Sequence, residues 1–292
     1  MGVYQYQSHQ IKNEKMKNTI KKIIAVLILS SIAFYSCKKE GSTSVNSNLN
    51  VPHSVKIFLT DHQTPVFDSV FIDIQKLEVK VEDDSLHNEG WVTVAIRPGI
   101  YNILRFRNGL DTLFATGNLP NAKIKKLRLT LGNANSAMKN NKSFPLRLHD
   151  EDRQVVADLD ESNFEIVAPG QLLFWIDFDA AGSIQVDNSG SGNNHGFRLK
   201  SHINIFTKHK SGELEGKVLP RAADAIVMAI NGTDTTMAIP EDDNGEFKIM
   251  GLKAGTYKIF YDAQNGYADT TLLNIPVTNN EDKHLPTISL HK

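Results

Sequence analysis

In the stretch FWIDFDAAGS, residues 174–183, two aspartates stand two positions apart at the end of an apolar run. On a strand, Asp177 and Asp179 share a face with Trp175, and Gly182-Ser183 could bend backbone carbonyls toward them. Calcium prefers clustered carboxylate and carbonyl oxygens, so this pair is the candidate for a calcium site. The competing reading is a strand end leaving the core, its acids facing water or capping a turn. The second reading is the favoured one, so no metal is assigned and the two aspartates stand as weak calcium candidates. Asp61, in FLTDHQ, poses the same choice.

Other chemistry is sparse. The ten histidines are scattered, and His202 and His209 are seven apart. Two histidines converge on one metal from spacings such as i and i+2 on a strand, so this pair reads as surface. Nucleophile elbows, phosphate-cradling loops, HExxH helices and paired cysteines are all missing from the sequence. No catalytic residue and no cofactor are therefore assigned, and a non-enzymatic protein is expected. Sugar platforms need exposed rings. Trp91 and Trp175 lie in apolar company and read as core residues, whereas Tyr267, after the Asn265-Gly266 turn, is a candidate for an exposed contact.

The elements that must position these residues are strands. Alternation with period two recurs along the chain, and no long stretch has apolar residues at helical spacing. In SVFIDIQKLEVKVE, Val70, Ile72 and Ile74 share one phase, while Leu77, Val79 and Val81 take the other. A switch at Gln75-Lys76 predicts a bulge or a bend between packing surfaces. QLLFWIDFD is apolar in both phases and reads as a central strand. Farther on, Asn244-Gly245 predicts a hairpin. Tyr257, Ile259 and Tyr261 line one face of a following strand. The fold expected is all-β, two tandem antiparallel β-sandwich domains.

The landmarks VKIFLTD, DSVFIDIQKLEV, GWVTV, LRFRNG, IKKLRLTLG, WIDFDAAGSI and FRLKSHI follow one another between residues 51 and 208. Their order and spacing resemble the domain of unknown function 4382 family of bacterial lipoproteins. That resemblance implies a β-sandwich and no activity. From 212 to 290, GELEGKVLP, the Asn244-Gly245 turn, the tyrosine strand and LPTISL resemble the carboxypeptidase regulatory-like domain, a transthyretin-like seven-stranded sandwich. PRAADAIVMAI departs from the glycine-richer turn usual there. The resemblance implies a fold often associated with carbohydrate binding, and hence a glycan as the ligand class.

The N-terminal region supplies an address. MKNTIKKIIAVLILSSIAFYSC has a basic start, an apolar run from Ile23 to Tyr35 and a small Ser36 before Cys37, the chain's one cysteine. That run is too short for a spanning helix, which needs roughly 20 residues. Its end resembles a lipoprotein lipobox, with Phe34 and Tyr35 departing from the motif. Residues 1–36 are thus expected to be a signal peptide, with translation starting at Met16. Cys37 is expected to carry the lipid that anchors the protein to membrane, and residues 37–50 to be a flexible tether rich in Ser, Asn and Gly.

Residues 1–36 hold five lysines and one acid, which leaves the remainder with 27 basic against 32 acidic side chains. Mild acidity argues against nucleic acid as a partner. The expected function is therefore a lipid-anchored, non-enzymatic binding or scaffold protein of the cell envelope, an outer-membrane lipoprotein facing either the periplasm or the cell surface. A glycan or an envelope protein is the expected partner. The alternative is a fimbrial or structural surface subunit, with a hydrolase accessory behind it.

Overall fold

The computed structural model describes residues 53–292 apart from 63, 83–87, 121, 161–162, 169, 188–195 and 242. The signal-like segment, Cys37 and the tether lie outside the described residues. Among those described, no helix is long and apolar enough to cross a membrane.

The chain is all-β. The first sandwich sets a nine-stranded sheet against a five-stranded one. Ser69–Glu82 is the long strand of the larger sheet. Its pairing with Lys123–Leu131 shifts register between Ile74 and Lys76, the position where the apolar phase switches. Gln75 and Lys76 both face water, yet Val70, Ile72, Ile74, Leu77, Val79 and Val81 all belong to one core. The bulge therefore re-phases the strand so that both halves address the same interior. Burying each of these aliphatic side chains contributes roughly 1.5–3 kcal/mol.

In the smaller sheet Gln171–Phe178 is indeed central. It pairs antiparallel with Glu165–Ala168 and with Ile203–Phe206, and parallel with His53–Thr60. That parallel pairing departs from a wholly antiparallel sandwich. It sets Thr60 opposite Asp177, so both strands run out at the same end of the sheet.

The second sandwich is two four-stranded sheets. Gly212–Leu219 pairs with Glu246–Leu252 and, in parallel, with Asp282–His284 and Ile288–Ser289. The opposing sheet orders Asp234–Ala238, Ile226–Asn231, Gly255–Asp262 and Thr270–Val277. Tyr257, Ile259 and Tyr261 are buried in the core between them, and burial pushes the Tyr261 phenol up.

The Asn244-Gly245 expectation needs correction. Gly245 takes φ +79°, and Asn244 Oδ1 accepts from the Glu246 N–H at 2.8 Å. The turn chemistry is as read, but no hairpin forms, because the preceding strand, Asp234–Ala238, lies in the opposite sheet. The turn instead redirects the chain from one sheet to the other. Hairpins form at Gly232, φ +62°, between Asn231 and Asp234, and at Asn140-Asn141, both with positive φ.

Candidate functional site

The parallel register of His53–Thr60 and Gln171–Phe178 carries four polar residues to one end of the smaller sheet: Asp61, His62, Asp177 and Asp179. Asp177 has no exposed surface and Asp61 only 4 %. Asp177 Oδ1 accepts the His62 backbone N–H at 2.9 Å, and its Oδ2 meets His62 Nδ1 and accepts from Asn204 Nδ2 at 3.2 Å. Asp61 Oδ1 accepts the Ala180 N–H at 3.2 Å, while its Oδ2 is buried without a hydrogen-bond partner. Burial first, and the charge of Asp177 second, push the Asp61 carboxyl well above the usual range, toward its neutral form. Asp179 caps the short helix Ala180–Ser183, accepting the Gly182 N–H at 2.8 Å. Gly182 leaves no room for a Cβ against that carboxylate.

His62 also reaches the second sandwich. Its Nε2 lies 3.1 Å from the Met250 carbonyl oxygen on Glu246–Leu252. Burial works against the imidazolium, but the charge of Asp177 and the hydrogen bond to it prevail, and the pKa of His62 is raised.

The two weak calcium candidates are thus placed apart in purpose. Asp177 is engaged by His62 and Asn204, and Asp179 by Gly182. The group of three ligand-type side chains that lie within 4.8 Å of one another, among the described residues, is Glu215, Asp282 and His284. The parallel register Glu213↔Asp282 and Glu215↔His284 puts these on one sheet face. A cation already sits there: Lys248 Nζ lies 2.7 Å from Glu213, 2.9 Å from Asp282 and 3.3 Å from Glu215. Those carboxylates outweigh the burial of Lys248 and raise its pKa.

Around His62 the two sandwiches enclose a cleft of about 660 Å³. Its walls carry Asp158, Asn163, Asp179 and Asn204 from the first sandwich, and Thr233, Thr235, Thr236 and Lys253 from the second. Beside it Trp175, Phe206 and Met250 form a small apolar cluster joining the two halves. Phe206 packs directly on Gly251, where a Cβ would lie 2.9–3.0 Å from the ring and φ is +72°. Across the interface Asn108 Nδ2 donates to the Ile239 carbonyl at 3.0 Å.

Trp175 is buried, as expected, but in this junction rather than the main core. It stacks on Phe58 at 5.1 Å and donates from Nε1 to Asp111 Oδ2 at 2.7 Å. Trp91 is only partly buried and lies under the Arg128 guanidinium, 4.0 Å from the ring centroid. Tyr267 is half-buried against the second core, with Lys292 Nζ 4.8 Å over its ring. His202 is exposed and His209 half-buried, and neither belongs to the ligand-type group. Sequence reading missed His62, although it follows Asp61 directly. Its partners lie 115 and 188 positions away, and no local pattern points to them.

Among known proteins, the solved structures to which the chain is similar, at low identity, include three from bacteria. One is GBS52, the minor pilin of the Gram-positive pathogen Streptococcus agalactiae: 13 % identity, 82 % of this chain, 96 % of that chain, TM-score 0.21. The Bacillus anthracis TIE protein gives 14 % identity, 86 % of this chain, 42 % of that chain and TM-score 0.22. A mutant of the shaft pilin SpaA from Lactobacillus rhamnosus GG gives 10 % identity, 82 % and 97 % coverage and TM-score 0.20. Scores this low carry no argument about function. No curated protein matches. The family described as Domain of unknown function (DUF4382) matches residues 53–201, about half of the chain, and that span holds the first sandwich up to its last strand, Ile203–Phe206, with Asp61, His62, Asp177 and Asp179. The chain belongs to the DUF4382 family.

Proposed function

We propose that this is a lipid-anchored, non-enzymatic binding protein of the cell envelope, held in the outer membrane through Cys37, which takes a glycan in the cleft between its sandwiches. The observation that carries the reading is the composition of that cleft. Hydroxyl, carboxamide and carboxylate groups from both halves line about 660 Å³ of space. Such groups match the alternating donors and acceptors of a polyhydroxylated ligand. The same geometry argues against catalysis at this place. Both ring nitrogens of His62 are engaged, one by Asp177 and one by Met250, so no imidazole lone pair is offered to a substrate.

The test is retention of the full chain, lipidated and in detergent, on an array of bacterial-surface and host glycans. Thr235 is exposed on the cleft wall. Thr235→Arg should abolish retention while leaving the melting temperature unchanged. Failure to retain any glycan, or retention indifferent to Thr235→Arg, overturns the reading.

A structural-subunit reading is favoured by one observation. Thr270–Val277 lies at an open sheet edge with Leu273 64 % exposed, a surface on which another chain's strand could pair. Polymer ladders on unboiled gels, lost in Leu273→Lys, would support it.

A further inference from the structure

We propose that His62 is a proton-controlled clasp between the two sandwiches, and that the opening of the cleft beside it follows pH. The effect on ligand affinity rests on the binding reading above; the clasp itself does not.

The argument begins with donors and acceptors. Asp177 Oδ2 and the Met250 carbonyl oxygen can only accept, and they face the two ring nitrogens of His62. For both contacts to be hydrogen bonds, both nitrogens must carry hydrogen, which makes the ring an imidazolium. Of the two contacts, one stays within the first sandwich and the other crosses to the second.

The charged groups around the ring are few. Asp177 stands on the neighbouring strand, and Asp61 and Asp179 lie close by, with Arg107 near Asp61. Asn204, from the strand on the other side, is neutral. From the second sandwich the contact is the Met250 carbonyl, with Lys253 on the cleft wall and Lys210 on the first-sandwich side. The near field is therefore anionic and holds the proton on.

Losing one proton leaves a single N–H. The ionised carboxylate of Asp177 is a stronger acceptor than an amide carbonyl, so the proton that leaves is the one on Nε2. Its lone pair then faces the Met250 oxygen, and attraction between the sandwiches becomes repulsion. Of the other junction contacts, Asn108 to Ile239 and the Trp175–Phe206–Met250 cluster carry no titratable group. Lys248, packed against Gly109, has its pKa raised and stays a cation throughout this range. The change is thus confined to the cleft side. Because the folded pKa is raised above 6.5, the clasp is complete below about pH 6.5 and is released as pH rises through the higher value.

The test uses the full chain carrying Cys37→Ser, with spin labels at Asp158→Cys and Thr233→Cys on opposite walls of the cleft. Pulsed-EPR distances should be short and narrow at low pH and lengthen with a single midpoint above 6.5. The ring ¹⁵N shifts of His62, assigned by their absence in His62→Gln, should titrate at that same midpoint. His62→Gln should show no midpoint. Distances constant across the range, a ring singly protonated throughout, or an unchanged response in His62→Gln would each overturn the clasp. Should His62→Gln fail to fold, Asp177→Asn decides: it must lower the midpoint toward 6.5. Glycan retention at the two pH extremes is read separately. A moving distance without any retention overturns the ligand reading alone, and retention with a fixed distance overturns the clasp alone.

Discussion

Replacing Asp177 by alanine removes a fully buried carboxylate that accepts from the His62 backbone, the His62 ring and Asn204. Breaking a buried ion pair by deleting one partner costs about 3–5 kcal/mol, because the other charge is left uncompensated. Two features pull the expected loss to the low end. The His62 side chain is 19 % exposed, so water screens the stranded cation in part. Asp61 is also released from the charge of Asp177 and becomes freer to ionise beside it. About 3 kcal/mol is expected, which for a folded region of this size lowers Tm by roughly 6–12 °C. The assay is thermal unfolding of wild type and Asp177→Ala at about pH 6 and about pH 9. His62 is raised above 6.5 when folded, so the pair's stabilisation is complete at the lower pH and fades as pH climbs through the folded value. The gap between the proteins should therefore narrow at the higher pH. A loss under about 2 °C at pH 6, or an equal loss at both pH values, would refute the assignment of an ion pair here.

Three further outcomes are expected. Gly251→Ala places an L side chain at φ +72° and a Cβ against the Phe206 ring, costing about 1–3 kcal/mol from backbone strain. It should also shift Trp175 fluorescence to the red as Phe206 moves, and an unchanged spectrum would contradict the packing described. Lys248→Met leaves Glu213, Glu215 and Asp282 without their shared cation and should cost about 1–2 kcal/mol in urea unfolding at neutral pH. That loss should shrink in high salt, which screens the network. With Asp177 held by His62 and Asp179 by Gly182, EDTA is expected to leave Tm unchanged; a fall of several degrees would return calcium to that pair.

How much of this was legible in the chain depended on whether the signal was local. The phase switch in Ser69–Glu82 was readable because period-two alternation reports which side of a strand meets the core, and the register shift lies at that switch. Two apolar phases marked Gln171–Phe178 as central because a strand covered on both faces has no polar side. Alternation does not report direction. The parallel partnership of that strand with His53–Thr60 was invisible, and with it the meeting of Asp61, His62 and Asp177. Asp61 and Asp177 could be singled out as ambiguous, but the histidine that resolves the ambiguity could not. At Asn244-Gly245 the local chemistry was right and its consequence was not, because sheet membership is decided by distant packing. Trp91 had apolar neighbours in sequence, but its ring is covered by Arg128, which reaches it from the strand on the other side of Ser69–Glu82.

The parallel strand pair also bears on the order of assembly. His53–Thr60 is the first described strand, yet its neighbour Gln171–Phe178 comes more than a hundred residues later, and the Met250 carbonyl later still. Closing loops of that length must precede any reward from the contacts they make, which slows the search for the native pairing. A chain delivered from its N-terminus can pair this opening strand with Thr112–Leu119, but its other edge stays open until Gln171–Phe178 arrives, and an open strand edge is a template for pairing with other chains.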